Sequence, residues 1–245
     1  MKLPDSEGLP LILLGGTLCD AALWQAVSDK LTVSDIRCIP LQGAHSAQSM
    51  ADVLLETLPP RFLLAGFSLG AIVALHIMAT APQRLAGLAL ISVNPLVDSP
   101  ENIAPRRRAL AEARSVGLTA YLTEALWPRY VAAHRLDDVA LCQTITAMAE
   151  RCGLAVFAEQ TDIAMHRHDQ RSALGQLRVP ITLLNGAEDP ICTPWHHQAV
   201  AQAAPDARWL TFPACGHFVP LEEPELTAAA LQHWINEAQR CDLTR

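Results

Sequence analysis

Residues 66–70 of this chain read Gly66-Phe67-Ser68-Leu69-Gly70 and match the pattern G-x-S-x-G. The stretch lies between an apolar run at 62–66, which predicts a strand, and a run at 69–78 that is apolar on nearly every side and predicts a buried helix. Glycines two positions before and after the serine let strand and helix approach without a clash at Cβ. Such a turn projects the serine hydroxyl above the sheet, beside the free N–H groups of a helix N-terminus. We therefore interpret Ser68 as a candidate nucleophile.

Short apolar runs alternate with helical patterns on both sides of this turn, which is typical of a mostly parallel sheet with helices on both faces. The predicted strands lie at 11–14, 36–39, 62–66, 85–92, 179–184 and 208–212. Three further helices are predicted in the core. One begins at about Ser46 with Met50, Val53, Leu54 and Leu58 on its apolar face, one opens at Thr193-Pro194, and one begins at about Pro224 with Leu226, Ala230 and Trp234 on one stripe.

The region 95–178 contains no strand-like run and has its own helix signals. Ser99-Pro100 resembles a helix start, and Gly117 and Gly153 resemble helix ends. The sequence predicts one α/β domain over 1–245, with a core at 1–94 and 179–245 interrupted by a helical insertion at 95–178.

The composition of the chain limits the kinds of partner and the cellular compartment that we expect for it. The 18 basic and 25 acidic residues give a net charge of −7, which argues against nucleic-acid or anionic-membrane partners. The seven cysteines are odd in number and never spaced as C-x-x-C, a pattern typical of reduced thiols. The first fourteen residues carry Pro4, Asp5 and Glu7 before a short apolar run, which fits neither a signal peptide nor a membrane span. We expect a cytoplasmic protein, and the oligomeric state stays open.

A serine hydroxyl needs a base, and the base needs an orienting group. His217 follows the last predicted strand, and Asp189 follows the strand before it. The order Ser, Asp, His and the position of each residue after a parallel strand are typical of one site at the carboxyl edge of the sheet. Asp98, which follows the strand at 85–92, is the rival candidate for the acid.

The remaining requirement is a pair of N–H donors for a developing oxyanion. Leu69, directly after the candidate nucleophile, supplies one backbone N–H. The turn Gly15-Gly16-Thr17-Leu18 after the first strand is the natural source of the second, with Thr17 as the candidate donor.

In these motifs the chain resembles the α/β-hydrolase superfamily, in the branch of small capped esterases such as pimeloyl-ACP methyl ester esterase. The matching stretches are Leu13-Leu14-Gly15-Gly16 through Leu23-Trp24, the turn at Ser68, Gly186 through Asp189, and Gly216-His217 followed by Leu221-Glu222-Glu223-Pro224. The resemblance implies the α/β-hydrolase fold, with the insertion as a cap that shapes the acyl pocket. The chain departs from the family in having Gly15-Gly16 where His-Gly is usual. Its short N-terminus also implies that the usual opening hairpin is missing or reduced.

Several other residues attract attention and have simpler interpretations. Arg106-Arg107-Arg108 is either a solvated face or a docking patch for an acidic carrier or a coenzyme A phosphate. His166-Arg167-His168-Asp169 lacks metal-ligand spacing, and His196-His197 is expected at the surface. Cys215 lacks a nucleophile turn and is interpreted as a small wall residue. No metal or cofactor is expected.

The functional hypothesis is acyl transfer to water by a serine hydrolase acting on a small-molecule carboxylic ester, which is either free or carrier-bound. Thioester, lactone and carbon–carbon bond hydrolysis need nearly the same residues. A ligand-binding receptor that keeps the fold remains a further alternative, although a pure binder has no need of a base beside the serine.

Overall fold

Six strands form one sheet in which each neighbouring pair is parallel. The computed structural model describes residues 8–244. The strands are β1 (Leu11–Leu14), β2 (Ile36–Ile39), β3 (Phe62–Phe67), β4 (Leu85–Ile91), β5 (Ile181–Gly186) and β6 (Arg208–Phe212). Their order across the sheet is β2-β1-β3-β4-β5-β6. All six predicted strands are present, which confirms the predicted α/β fold class.

Four strand boundaries differ from the prediction. β3 ends at Phe67 rather than at 66 and β5 at Gly186 rather than at 184, and the other two differences have a physical reason. β5 begins at Ile181 rather than at 179 because Pro180 has no N–H to donate to a neighbouring strand. β4 ends at Ile91 rather than at 92 because Ser92 has a φ of 49°, outside the extended region.

Eleven α-helices occur in the described part of the chain. They are α1 (Gln25–Ser28), α2 (Ala47–Thr57), α3 (Leu69–Thr80), α4 (Ile103–Val116), α5 (Leu118–Tyr121), α6 (Trp127–Tyr130), α7 (Val139–Met165), α8 (Arg171–Leu174), α9 (Pro194–Ala203), α10 (Val219–Glu222) and α11 (Pro224–Asp242). Short 3₁₀ turns lie at Ala21–Trp24, Pro82–Arg84, Pro100–Asn102 and Ala133–Arg135, and a π-helical turn lies at Leu122–Leu126.

Both faces of the sheet are buried, as a parallel sheet requires. Alternate residues of β1 enter two separate apolar clusters, with Leu11 and Leu13 on one side and Ile12 and Leu14 on the other. α11 contributes Trp234 to the first cluster, and α2 and α3 pack into the second. Every residue of β1 is completely buried.

Two predicted helix faces are partly wrong. Val53 of α2 is 47% exposed and Leu226 of α11 is 49% exposed, whereas Leu54 and Trp234 are buried. In α11 the predicted stripe is built on steps of four residues, each of which turns the helix about 40° past a full circle, so Leu226 at its start drifts away from the face that buries Trp234. Along α2 and its C-cap the residues four apart, Met50, Leu54 and Leu58, are buried, and Val53 lies beyond the edge of that face. The buried face of α11 instead carries Thr227, Ala228, Leu231, Trp234, Ile235 and Ala238.

The segment between β4 and β5 consists of helices and turns within the described residues, and we call residues 95–178 the insertion. Gly117 has a φ of 92° and ends α4, as predicted. Gly153 has a φ of 77° inside α7, so it produces a kink between two helical stretches where the sequence predicted an end.

The strand that opens the described sheet is β1, and the described residues add no antiparallel strand to it. Residues 1–7, where part of an opening hairpin would fall, lie outside the described residues, so the reduced hairpin stays a prediction. Within 8–244, no helix is both long and apolar enough to span a membrane.

The turn between β3 and α3 brings backbone against backbone. A Cβ added at Gly70 would lie 2.3 Å from the carbonyl oxygen of Leu14, and one added at Gly66 would lie 2.4 Å from that of Gly70. Real Cβ atoms do not approach so closely, so any side chain at either glycine must push the start of α3 away from β1 or β3.

We predict that Gly70→Ala destabilises the protein by about 1–3 kcal/mol, the usual cost of overpacking, because the obstructing atoms belong to backbone. The free energy of unfolding in urea measures the effect. Gly8→Ala is the matched control, since an added Cβ there would meet only the Gln239 side chain at 3.7 Å. Equal stability of the two variants would contradict this description of the turn.

Candidate active site

Ser68 occupies the turn between β3 and α3. Its φ of 53° lies in the left-handed region that a non-glycine residue rarely adopts. The Ser68 N–H donates to the carbonyl oxygen of Ile91 at 2.9 Å, which fixes the strained turn to the end of β4. The hydroxyl therefore lies above the carboxyl edge of the sheet and lines a cavity.

His217 lies in the loop after β6, with its Nε2 2.9 Å from the Ser68 Oγ. The His217 backbone N–H donates to the carbonyl oxygen of Tyr130 at 2.9 Å, and the Ser92 hydroxyl donates to the His217 carbonyl oxygen at 2.8 Å. The imidazole packs against the ring of Phe67, with centroids 5.1 Å apart. Backbone and ring contacts together hold the imidazole in one orientation.

Asp189 lies in the turn after β5, with its Oδ2 2.8 Å from the His217 Nδ1. Its Oδ1 accepts the N–H groups of Ile191 and Cys192 at 2.7 and 2.9 Å. Burial alone would raise the pKa of Asp189, but the charge and hydrogen bond of His217 and the two N–H donors outweigh it and hold the pKa below its usual value. An ionised Asp189 accepts from Nδ1–H, so Nε2 is left to accept the Ser68 proton.

Asp98, the rival acid, also lines the cavity but points to different partners. Its carboxylate accepts from the guanidinium of Arg106 at 2.6 Å and forms an ion pair with Arg167 at 3.2 Å. Asn102 donates to the same carboxylate at 2.9 Å. The structure thus brings Ser68, His217 and Asp189 together in one hydrogen-bonded line and leaves Asp98 outside it.

The turn after β1 lies directly against Ser68. A Cβ on Gly16 would be 3.2 Å from the Ser68 Cβ. The Leu18 N–H donates to the Oε1 of Gln160 at 2.7 Å, whereas the Thr17 N–H forms no hydrogen bond within residues 8–244. Leu69 is the first residue of α3, where an N–H has no acceptor within the helix. The N–H groups of Thr17 and Leu69 are therefore free beside Ser68.

Gln160 is a residue that sequence reasoning missed. It is 1% exposed, accepts from Leu18 through Oε1, and donates through Nε2 to the carbonyl oxygen of Leu41 at 3.0 Å. It thereby connects α7 of the insertion to the turn beside Ser68. No sequence signal marks it, because an isolated glutamine in a helix usually faces solvent.

Glu222 is a second missed residue, although it lies in a stretch quoted for the family resemblance. Its buried carboxylate accepts the backbone N–H groups of Gly216 and Phe218, on either side of His217, and that of Ala132 in the insertion at 2.7 Å. Burial raises the pKa of Glu222, and the N–H donors partly offset this. One carboxylate thus joins the histidine loop to the insertion.

The expectation that the paired histidines of α9 lie at the surface is wrong for His197. His197 is completely buried, and its Nε2 accepts the N–H of Val93 at 3.1 Å. Burial lowers the pKa of His197 to about 4, so the imidazole is neutral and serves as an acceptor that ties α9 to the end of β4. His196 is partly buried and lines the cavity.

The cavity that Ser68 and His217 line has a volume of about 500 Å³, within the range of small-molecule sites. The insertion supplies much of its wall, including Arg106, Tyr130 and Phe157. The three arginines at 106–108 lie in different environments. Arg106 lines the cavity, whereas Arg107 and Arg108 are exposed.

Three potential metal ligands cluster within the described residues, namely Asp189, Cys192 and His217, whose ligand atoms all lie within 4.8 Å of one another. Hydrogen bonds already occupy these groups, since both Asp189 oxygens accept and His217 bonds through both ring nitrogens. Burial also raises the pKa of the Cys192 thiol, which disfavours the thiolate that binds metals. The arrangement of Asp189, Cys192 and His217 therefore suits proton transfer better than metal binding.

A parallel sheet with serine, carboxylate and histidine side chains above its carboxyl edge defines the α/β-hydrolase class of protein. Residues 29–230 match the alpha/beta hydrolase family. The chain is 30% identical to pimeloyl-[acyl-carrier protein] methyl ester esterase of Aromatoleum aromaticum, over 95% of this chain and 98% of that protein. The protein of the same name from Nitrosomonas europaea is 26% identical over 89% of this chain and 92% of its own length.

Solved structures agree with this assignment. A thermophilic esterase from Thermogutta terrifontis, determined with malate bound, superposes with a TM-score of 0.84 at 26% identity, covering 95% of this chain and 91% of its own. The enol-lactonase of Burkholderia xenovorans has the same fold, with a TM-score of 0.80 at 21% identity, covering 94% of this chain and 92% of its own. The chain belongs to the alpha/beta hydrolase family, and it is a hydrolase.

We predict that Glu222→Ala destabilises the protein by about 3 kcal/mol or more, because three buried N–H groups lose their acceptor and each costs about 1–3 kcal/mol. Urea unfolding measures the change. Glu223→Ala is the control, since the Glu223 side chain forms no hydrogen bond within the described residues. If both variants unfold at the same urea concentration, Glu222 does not hold the loops together.

Proposed function

We propose that the protein hydrolyses a small-molecule carboxylic ester through an acyl-enzyme on Ser68, with His217 as base and Asp189 as the group that orients it. The observation that carries this proposal is the continuous hydrogen-bonded line from Asp189 Oδ2 through His217 to Ser68 Oγ, with distances of 2.8 and 2.9 Å. An ionised carboxylate at one end and a hydroxyl at the other are what general-base activation of a serine requires.

In the first half-reaction Ser68 Oγ attacks the ester carbonyl carbon while His217 Nε2 takes the hydroxyl proton. The N–H groups of Leu69 and Thr17 bind the oxyanion, and loss of one such donor typically costs about 3–4 kcal/mol. The carbon–oxygen bond then breaks, and His217 returns the proton to the leaving alkoxide. In the second half, water loses a proton to His217 and attacks the acyl carbon. The bond from that carbon to Ser68 Oγ then breaks and His217 returns the proton to Oγ, so that ester and water become acid and alcohol.

The Thr17 assignment rests on its neighbours. Leu18, the next residue, has its N–H engaged by Gln160, whereas Thr17 lines the cavity beside Ser68 and its N–H has no acceptor within residues 8–244. A Cβ added at Gly16 would lie 3.2 Å from the Ser68 Cβ, and this proximity supports an oxyanion site between the turn and the start of α3. A Cβ added at Gly16 would lie 2.8 Å from the ring of Phe67, so a side chain there would have to displace that ring.

For the substrate we propose an acyl ester whose chain lies in the cavity beneath the insertion, which acts as a cap. Relatives from Aromatoleum and Nitrosomonas are named for a methyl ester on an acyl-carrier protein, which supports a small acyl group either free or carrier-bound. The mechanism uses only groups of this chain and requires neither metal nor cofactor. Thioesters, lactones and carbon–carbon bonds could be cleaved by the same residues, so a panel of these substrates beside simple esters is the discriminating assay.

We predict that a fluorophosphonate probe forms its adduct on Ser68, and that Ser68→Ala abolishes both labelling and ester turnover without changing the urea midpoint. Peptide mass spectrometry locates the adduct. Ser115→Ala, on an exposed face of α4, is the control and should label like the parent protein. An adduct on another residue overturns the nucleophile assignment, and tight ligand binding without labelling or turnover favours a receptor.

We predict that Asp189→Asn lowers kcat/KM by about 10⁴-fold, because an amide beside Nδ1 favours the tautomer in which Nε2 carries the proton. Steady-state kinetics on an ester accepted by the parent protein measures the loss. Asp206→Asn makes the same chemical change at an exposed turn residue and should leave kcat/KM unaltered. Near-parental activity of Asp189→Asn would rule out its role as the orienting acid.

A further inference from the structure

Two arginines share one carboxylate in the wall of the cavity that contains Ser68. Arg106 of α4 and Arg167, which follows α7, both pair with Asp98, and all three line the cavity. The side chains of Asp98 and Arg167 are 2% and 5% exposed, whereas that of Arg106 is 33% exposed. Two cations against one anion leave one positive charge on this wall, which we call the arginine wall (Asp98, Arg106 and Arg167).

The carboxylate in this wall has no capacity left for a further cation. Asp98 accepts from Arg106 Nε at 2.6 Å and Nη2 at 3.3 Å and from Asn102 Nδ2 at 2.9 Å, and it pairs with Arg167 Nη2 at 3.2 Å. A guanidinium carries five N–H donors, so both arginines retain donors that nothing in residues 8–244 accepts. Those of Arg106 belong to a side chain that lines the cavity.

A purely structural role accounts for only part of this arrangement. Arg167 donates to the carbonyl oxygens of Leu96 and Ala164 at 2.7 and 2.9 Å, so with Asp98 it forms a neutral, well-bonded link between the insertion and the end of β4. Arg106 is not needed to neutralise Asp98. A second guanidinium in a partly desolvated wall is costly unless an anion accompanies it.

The surroundings favour an anion as well. Asp98 is the single acidic side chain among the described residues that line the cavity, whereas Arg129 adds another cation to the lining. The chain as a whole carries a net charge of −7, so the cavity is a positive site on a negative protein. The arginine wall lines the same cavity as Ser68 and His217, so one bound molecule can reach both.

We propose, resting on the ester hydrolysis proposed above, that the arginine wall binds a carboxylate at the far end of the acyl chain, so that the substrate is the half ester of a dicarboxylic acid. The ester end reaches Ser68, and the carboxylate meets the free N–H donors of Arg106 in the fork geometry that a guanidinium offers. The arginine wall itself carries one net positive charge, the charge that one carboxylate neutralises.

The test compares isosteric substrates that differ only in charge. Monomethyl esters of dicarboxylic acids from succinate to suberate are each paired with the methyl ester in which an amide replaces the free carboxylate. At the best chain length we expect kcat/KM for the carboxylate to exceed that for the amide by about tenfold or more, the usual effect of a charge-assisted hydrogen bond. A methyl ester with a terminal phosphate is the third arm.

The variant Arg106→Gln leaves Asp98 paired with Arg167 and removes the excess charge, so the carboxylate-to-amide ratio should fall about tenfold, to near unity. Arg106→Lys keeps the positive charge but lacks the planar fork, so its carboxylate-to-amide ratio should be intermediate. A partial ratio in this variant would show that charge, and not only packing of the side chain, determines the preference. Arg107→Gln is the matched control, because it makes the same change at the next, exposed position of α4 and should keep the parental ratio.

The outcomes separate this inference from the proposed function. Equal turnover of carboxylate and amide esters, or a preference for the phosphate, overturns the carboxylate subsite while ester hydrolysis stands. If no ester is hydrolysed, the proposed function fails, and calorimetry with free glutarate then tests the subsite directly. Binding to the parent protein and Arg107→Gln, with at least tenfold weaker binding to Arg106→Gln, supports the subsite, and equal or absent binding overturns it.

Discussion

The close approach of α3 to β1 and β3 at Gly66 and Gly70 is the constraint on which the rest of the structure depends. Backbone lies where a Cβ would be, 2.3–2.4 Å away, so the chain must leave β3 and enter α3 within one residue. Ser68 is that residue, and it is held at a φ of 53°. The free-energy cost of this backbone conformation is offset by the burial of α3, whose first ten residues are all buried. A hydroxyl above the sheet edge and a free N–H at Leu69 both result from this one turn.

The insertion controls the geometry of the candidate site from both sides. Gln160 binds the turn after β1, and the carbonyl oxygen of Tyr130 accepts the N–H groups of His217 and Phe218. Glu222 adds a bond from the histidine loop to Ala132. Because buried hydrogen bonds of this kind are costly to leave unmade, a shift of the insertion changes the orientation of the base and the oxyanion donors together. The insertion is therefore bonded to the turn after β1 and to the histidine loop, the two segments beside Ser68.

Local signals in the sequence predicted the six strands, the turn at Ser68 and the loops that carry Asp189 and His217, because each depends on residues close together in the chain. Contacts between residues far apart in the chain could not be predicted from such local signals. His197 meets Val93 across 104 positions, and Gln160 meets Leu18 across 142. The exposed Val53 and Leu226 show a related limit, since an apolar stripe gives the helical period but not which edge of the stripe meets the core.

Two buried carboxylates follow adjacent strands, and their pKa values do not distinguish their roles. Burial would raise the pKa of Asp189 and of Asp98, yet His217 lowers the first and Arg106 lowers the second, so both are ionised at neutral pH. Their partners differ in kind. A guanidinium stays protonated and can only hold a charge, whereas an imidazole can accept a proton and release it. In the function proposed above, the carboxylate after β5 thus supports proton transfer through His217, whereas the one after β4 is held between two permanent cations.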